Sequence, residues 1–175
     1  MKKFFLFSGI LSICLANLGF SGCGIYGFSE KVTNDSGVKT IRVQMLTNEA
    51  PYRNPQLSPN LTDRLRQKIN NQTKLNPTNS EKADLNISGY IKDYSVTTTG
   101  VTSTNGRSTT NINRLNVTVH ILKQNQLKNT SEEFDVTRNF DFDANVPLRT
   151  AESKLLDEMV RNLADEIFNR LFSNW

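Results

Sequence analysis

Cysteine and histidine are scarce in this 175-residue chain, with two of the first and one of the second. Both cysteines, Cys14 and Cys23, lie near the start, so nothing downstream can form a disulfide framework or a Cys-x-x-Cys metal site. His120 stands alone on a strand, facing away from the apolar positions. A lone histidine without Cys or Asp partners at ligand spacing is far more often an exposed polar residue than a ligand or base. No nucleophile elbow, glycine-rich phosphate loop or His-x-x-x-His pair occurs. Asp141 and Asp143 flank Phe142, but alternating Asp and Phe is an ordinary amphipathic strand pattern. No enzyme, cofactor or metal is therefore expected. Charge of one sign is not in excess either: 21 basic residues against 17 acidic ones give a net +4 at pH 7. That is too little to argue for nucleic acid as a partner.

What is present begins at the N-terminus. Lys2 and Lys3 precede an apolar run from Phe4 to Leu18, and Phe20-Ser21-Gly22-Cys23 follows. A charged n-region, an apolar h-region and small residues before a cut mark a secretory signal over 1–22. The cysteine at the cut resembles a bacterial lipobox, with Phe20 where Leu is usual. In such signals the thiol of the cysteine, here Cys23, is alkylated by a diacylglyceryl group, the chain is cut before it, and the new amino group is acylated. The thiolate is the nucleophile, so it must reach an enzyme at the membrane surface. Cys14 does not compete, because the large β-branched Ile13 precedes it. Two other readings stay open: Phe4 to Phe20 as a short uncleaved anchor at the lower limit for a span, or Cys23 as an ordinary secreted cysteine. Gly24, not Asp, follows Cys23, and by resemblance to sorted lipoproteins this favours the outer membrane and a periplasm-facing position.

Residues 23–37 read as a lipidated tether and 38–175 as one domain, large enough for a core. Ile25–Val32 is short and aromatic and can become a first strand, with a turn at Asn34-Asp35-Ser36-Gly37. Val38–Leu46 alternates as a half-buried strand, with Ile41, Val43 and Met45 inward. Asn48–Pro59, holding Pro51, Pro55 and Pro59, reads as loop. Ser58 fits an N-cap and Pro59 a first helical position. Leu61, Leu65 and Ile69 then recur every fourth residue as the apolar stripe of a helix, which Asn70-Asn71 ends. Asn76-Pro77 through Ser80 is a second break. Asp84–Val96 alternates again, with Leu85, Ile87, Gly89 and Ile91 inward. Thr97–Asn111 is almost all Thr, Ser, Gly and Asn around Asn105-Gly106, a strong hairpin signal. Leu115–Ile121 and Phe134–Phe142 complete the strands, Arg138 interrupting the second, with a polar turn between them. From Pro147 toward Phe172, Leu148, Leu155, Met159, Leu163, Ile167 and Leu171 form a long helical stripe, with Glu152 and Asp157 among the residues of the other side. The expected architecture is α+β: a small, mostly antiparallel four-stranded sheet with two helices on one face, in the order strand, helix, three strands, helix.

That order, the Cys23-Gly24-Ile25-Tyr26-Gly27-Phe28 opening, the Ala83-Asp84-Leu85-x-Ile87-x-Gly89 strand and the C-terminal helix together resemble the LptE family of lipopolysaccharide-assembly lipoproteins. The resemblance covers essentially the whole chain after the signal. It implies a plug: a lipid-anchored protein inside the lumen of the large outer-membrane β-barrel LptD, helping it fold and helping deliver lipopolysaccharide to the outer leaflet. It implies LptD, lipopolysaccharide and the membrane as partners. If the lipid is touched, basic residues should meet its phosphates. Lys92, Arg107 and Arg114, on and beside the Thr/Ser hairpin, are the candidates, set against a reading of all three as solubilising surface charge. The alternative function is a free-standing periplasmic lipoprotein that carries or senses a small lipid, which requires an apolar cavity between helices and sheet.

Overall fold

The computed structural model describes residues 37–104 and 107–172, with side chains for 37–99 and 111–172. Cys23, the signal, the tether up to Ser36 and the Asn105-Gly106 turn lie outside the described residues. The elements are β1 (Thr40–Val43), β2 (Thr47–Asn48), α1 (Leu57–Gln72), β3 (Asn76–Pro77), β4 (Leu85–Thr104), β5 (Arg107–Asn125), β6 (Thr130–Asp143) and α2 (Leu148–Phe172).

The α+β architecture stands, but the sheet differs from expectation. It is a mixed six-stranded sheet in the order β3-β1-β4-β5-β6, with β2 also pairing with β4. The expected four-stranded, mostly antiparallel sheet is therefore corrected. β4, β5 and β6 form the antiparallel part. β1 and β2 lie parallel to β4, and β3 parallel to β1. The reason is α1, because a helix crossing over a sheet returns the chain in its starting direction and pairs the flanking strands in parallel. Asn76-Pro77, expected as a break, is the short edge strand β3, and Asn48, expected in a loop, closes β2.

One extra residue separates β1 from β2 along β4. Val43 is matched to Ile87, and Thr47 to Tyr90. Because side chains alternate, a one-residue insertion reverses the faces. Met45, expected inward, is consequently 59% exposed, and Leu46 is buried in its place. The backbone of Leu46 leaves the ladder and is satisfied by α1: its N–H donates to Thr62 Oγ1 at 3.1 Å, and its carbonyl accepts from Ser58 Oγ. Ser58 is thus a bulge partner, not an N-cap. The helix starts two residues before the expected Pro59, at Leu57, after Gln56.

The Ala83–Gly89 motif has a structural reason at each position. Asp84 Oδ2 accepts the N–H groups of Lys39 and Thr40, both at 2.9 Å, while its own N–H donates to Thr40 Oγ1 at 2.9 Å. It thereby fastens the start of β1 to the start of β4. These donors hold its carboxyl below the usual carboxylate range, the Lys39 N–H contributing most. Ala83, Leu85 and Ile87 are buried. Gly89 is required by close approach: a Cβ there would lie 2.2 Å from the backbone oxygen of His120 on β5.

Between sheet and helices, Leu61 and Leu65 of α1 and Met159, Leu163 and Ile167 of α2 meet Ile87, Ile91, Leu115, Val117, Val119 and Ile121 in one core. Each such side chain contributes about 1.5–3 kcal/mol on burial. Arg138, the interruption on β6, faces α2 and pairs with Glu166. Lys68 of α1 pairs with Asp165 of α2 at 2.6 Å and lies over Phe168, joining the helices.

Candidate partner-binding surface

Both helices cover one face of the sheet, which leaves the other face of β4, β5 and β6 to solvent. Its residues follow from register and alternation. Asp93 stands opposite Thr118, Ser95 opposite Asn116, and Thr97 opposite Arg114. Across β6 these continue to Thr137, Asn139 and Asp141. The side chains bond to one another across and along the strands. Thr118 and Thr137 share a hydrogen bond at 3.0 Å, Asn116 donates to Thr97 at 3.3 Å, and Ser95 donates to Asp93 at 2.8 Å. Hydroxyl and amide groups thus form the middle of this face, with Ile112 and Leu122 half-buried toward its two ends.

Two charged clusters sit on the same face. Lys92 Nζ meets Asp135 Oδ2 at 2.7 Å, and His120 Nδ1 meets Asp135 Oδ1 at 2.7 Å. Glu133 lies 3.7 Å from the other ring nitrogen, and Tyr90 packs beside the imidazole at 5.0 Å between centroids. Hydrogen bonds from Lys92 and then His120 hold the Asp135 carboxyl below its ordinary range, and the Asp135 bond raises Lys92. Arg114 forms a two-pronged bridge to Asp141 at 2.7 and 2.9 Å, which lowers Asp141 and raises Arg114. Of the three candidate cations, Lys92 and Arg114 therefore share the polar face and each holds a carboxylate. Arg107 opens β5, and its side chain lies outside the described ones. Among the described side chains, with Asp93, Glu133, Asp135, Asp141 and Asp143 against Lys92 and Arg114, carboxylates outnumber lysine and arginine on this face.

A second polar group lies under the helical layer, and sequence reasoning missed it. Between Ile91 and Asp93 the β4–β5 register slips, which reverses the faces of β4 and turns Tyr94 inward. Its hydroxyl donates to Glu152 Oε1 at 2.7 Å, and Tyr52 donates to Glu152 Oε2 at 3.1 Å. Asn54 Nδ2 reaches the Tyr94 hydroxyl at 3.4 Å, and the two tyrosine rings stack at 5.5 Å. Glu152, expected on the outer side of α2, is buried. Burial, and then the neighbouring carboxylate, push the Tyr52 hydroxyl up; burial pushes Tyr94 up as well. The sequence did hold a signal. Glu152 falls four residues after Leu148 and three before Leu155, on the helix's apolar stripe.

A third feature is a groove at the sheet edge. It is a cavity of about 430 Å³ between α1 and the β1–β3 edge, walled by Ile41, Val43, Ile69, Leu75 and Pro77 with Arg66 at its rim. Among the described residues, no group of three His, Cys, Asp or Glu side chains is arranged to hold a metal.

A family model described as LptE, lipopolysaccharide-assembly, matches residues 38–171. No curated protein matches the chain in sequence. Among solved structures, a neuraminyllactose-binding hemagglutinin homolog from Helicobacter pylori superposes with a TM-score of 0.54 at 11% identity, covering 83% of this chain and 89% of that one. The likeness is one of fold. A minor lipoprotein from Acinetobacter baumannii gives 0.49 at 13% identity, over 78% of this chain and 92% of that one. Uncharacterized lipoprotein B from Nitrosomonas europaea gives 0.48 at 16% identity, over 78% and 83%.

Proposed function

This chain belongs to the lipopolysaccharide-assembly family LptE, and on that premise we propose that it is an outer-membrane lipoprotein, anchored through acylated Cys23, that plugs an LptD-type β-barrel. In this reading it helps the barrel assemble and helps pass lipopolysaccharide to the outer leaflet, and it performs no reaction itself. The observation that carries the reading is the family match, which spans almost the whole described domain. The polar sheet face supports it. The lumen of a large outer-membrane barrel is polar, and a plug needs a surface whose hydroxyl, amide and charged groups exchange water for such a wall. A single acyl chain binds membranes only marginally, whereas several anchor stably, which suits a lipidated Cys23.

Lys92, Arg107 and Arg114 are offered to the lipid phosphates. Lys92 and Arg114 would exchange an aspartate for a phosphate on contact, Arg114 keeping a two-pronged geometry that suits either anion. The small-lipid carrier reading needs space between helices and sheet. Leu61, Leu65, Ile87, Ile91, Val117, Val119, Met159 and Leu163 are 0% exposed, so the central core is filled, and the apolar space described between a helix and the sheet is the groove of about 430 Å³ at the β1–β3 edge.

A C-terminally tagged protein at native level, extracted from outer membranes in mild detergent, tests the plug. A large β-barrel should copurify in stoichiometric amount, and should still do so when Cys23 is replaced and the protein is exported. Recovery of the protein alone, under conditions where barrel complexes survive, would contradict the proposal and favour a lipid carrier.

A further inference from the structure

An edge strand leaves a row of N–H and C=O groups without a ladder. β3 covers the outer edge of β1 only briefly, with Asn76 matched to Thr40 and Pro77 to Ile41. Thr78 N–H still reaches the Ile41 carbonyl at 2.9 Å, and there the ladder stops. The next groups facing the same way belong to Val43. Its carbonyl accepts from the Arg66 guanidinium at 2.8 and 3.2 Å. Its N–H meets no acceptor among the described residues. The apolar groove of about 430 Å³ opens beside this N–H, with Val43 itself in its wall.

The chain enters the domain at this same edge. Val38 is buried, and the Lys39 carbonyl accepts Asn76 N–H at 2.8 Å. Gly37 has φ 72°, a left-handed conformation that glycine adopts without steric cost and that suits a reversal. Upstream, Tyr26-Gly27-Phe28 spaces two aromatic rings two residues apart, which places both on one face of an extended chain. Roughly nine residues join Phe28 to Gly37, a reach of about 30 Å.

We propose that Ile25–Val32 docks back on this edge, seating Tyr26 and Phe28 in the groove and giving a backbone carbonyl to Val43 N–H. The groove's apolar wall and the unanswered Val43 N–H match an aromatic segment in extended form. Docking shortens the tether. Cys23 then stands about 10 Å of extended chain from Tyr26, so acyl chains on Cys23 would hold the β1–β3 edge near the membrane. This does not depend on the barrel-plug reading.

The test uses the full-length lipoprotein in detergent. Hydrogen exchange of the peptide carrying Val43 should be roughly tenfold or more faster in Phe28→Asp than in the native chain, and unchanged in Lys128→Gln, a change at the exposed turn between β5 and β6. Thermal melting should show the domain of Phe28→Asp still folded. A photocrosslinker replacing Gln67, at the groove's rim, should join intramolecularly to the peptide holding Tyr26 and Phe28. Equal exchange in native and Phe28→Asp chains would overturn the proposal. So would a crosslink from Gln67 to another polypeptide or to lipid, or none at all. Barrel copurification of Phe28→Asp is a separate readout, expected to be retained, so the two proposals fail independently.

Discussion

At Gly89 and Asp84 the scale of a single atom decides the outcome. A Cβ at Gly89 meets the His120 carbonyl at 2.2 Å and Ile121 Cδ1 at 3.1 Å, and the first is backbone that cannot swing aside. Gly89→Ala should force β4 and β5 apart and cost about 1–3 kcal/mol or more, read as a lowered urea midpoint. Asp84 has a lowered folded pKa, so its stabilisation is fully present above the unfolded value near 3.9 and is lost as pH falls through the folded value. The stability gap between native protein and Asp84→Asn should therefore be widest near pH 6 and shrink toward pH 3. A gap that does not change with pH would assign the effect to packing. The run from Ala83 to Gly89 was legible as a strand and as a mark of kinship. Why it carries Asp and Gly was not, because the groups they meet, on β1 and β5, are distant in sequence.

The elements were legible where their periods were long and unbroken. The stripes Leu61-Leu65-Ile69 and Met159-Leu163-Ile167 are buried as their spacing requires, and so are Leu115, Val117, Val119 and Ile121. Reading failed where a single residue shifts the phase. Met45 and Tyr94 both follow such shifts, and pattern alone gives no sign of a bulge. Glu152 failed for another reason: its partners Tyr52 and Tyr94 come from a loop and a strand far along the chain. Tyr94→Phe would leave buried Glu152 Oε1 without its donor, at a cost of about 1–3 kcal/mol. Because Tyr52 and Asn54 belong to the same cluster, the variant should also loosen residues 50–56. Faster hydrogen exchange confined to that loop, with α2 unaffected, is the expected pattern.

For the whole molecule, composition and signal pattern set the class, and local pattern could not supply the sheet's mixed direction, which depends on how α1 carries the chain back. The result is a sheet dressed by helices on one side and bare, polar and internally bonded on the other. Cys23→Ala, exported through a cleavable signal, should lose the lipid mass on its mature N-terminus by mass spectrometry while leaving the melting transition unchanged, since the described core lies wholly beyond residue 37. The plug reading places the bare face against a barrel wall. A photocrosslinker at Thr118, at the middle of that face, tests this in growing cells. The account predicts one dominant covalent adduct with a large outer-membrane β-barrel. Outer-membrane protein that gives no such adduct from Thr118, with the domain folded, would contradict it.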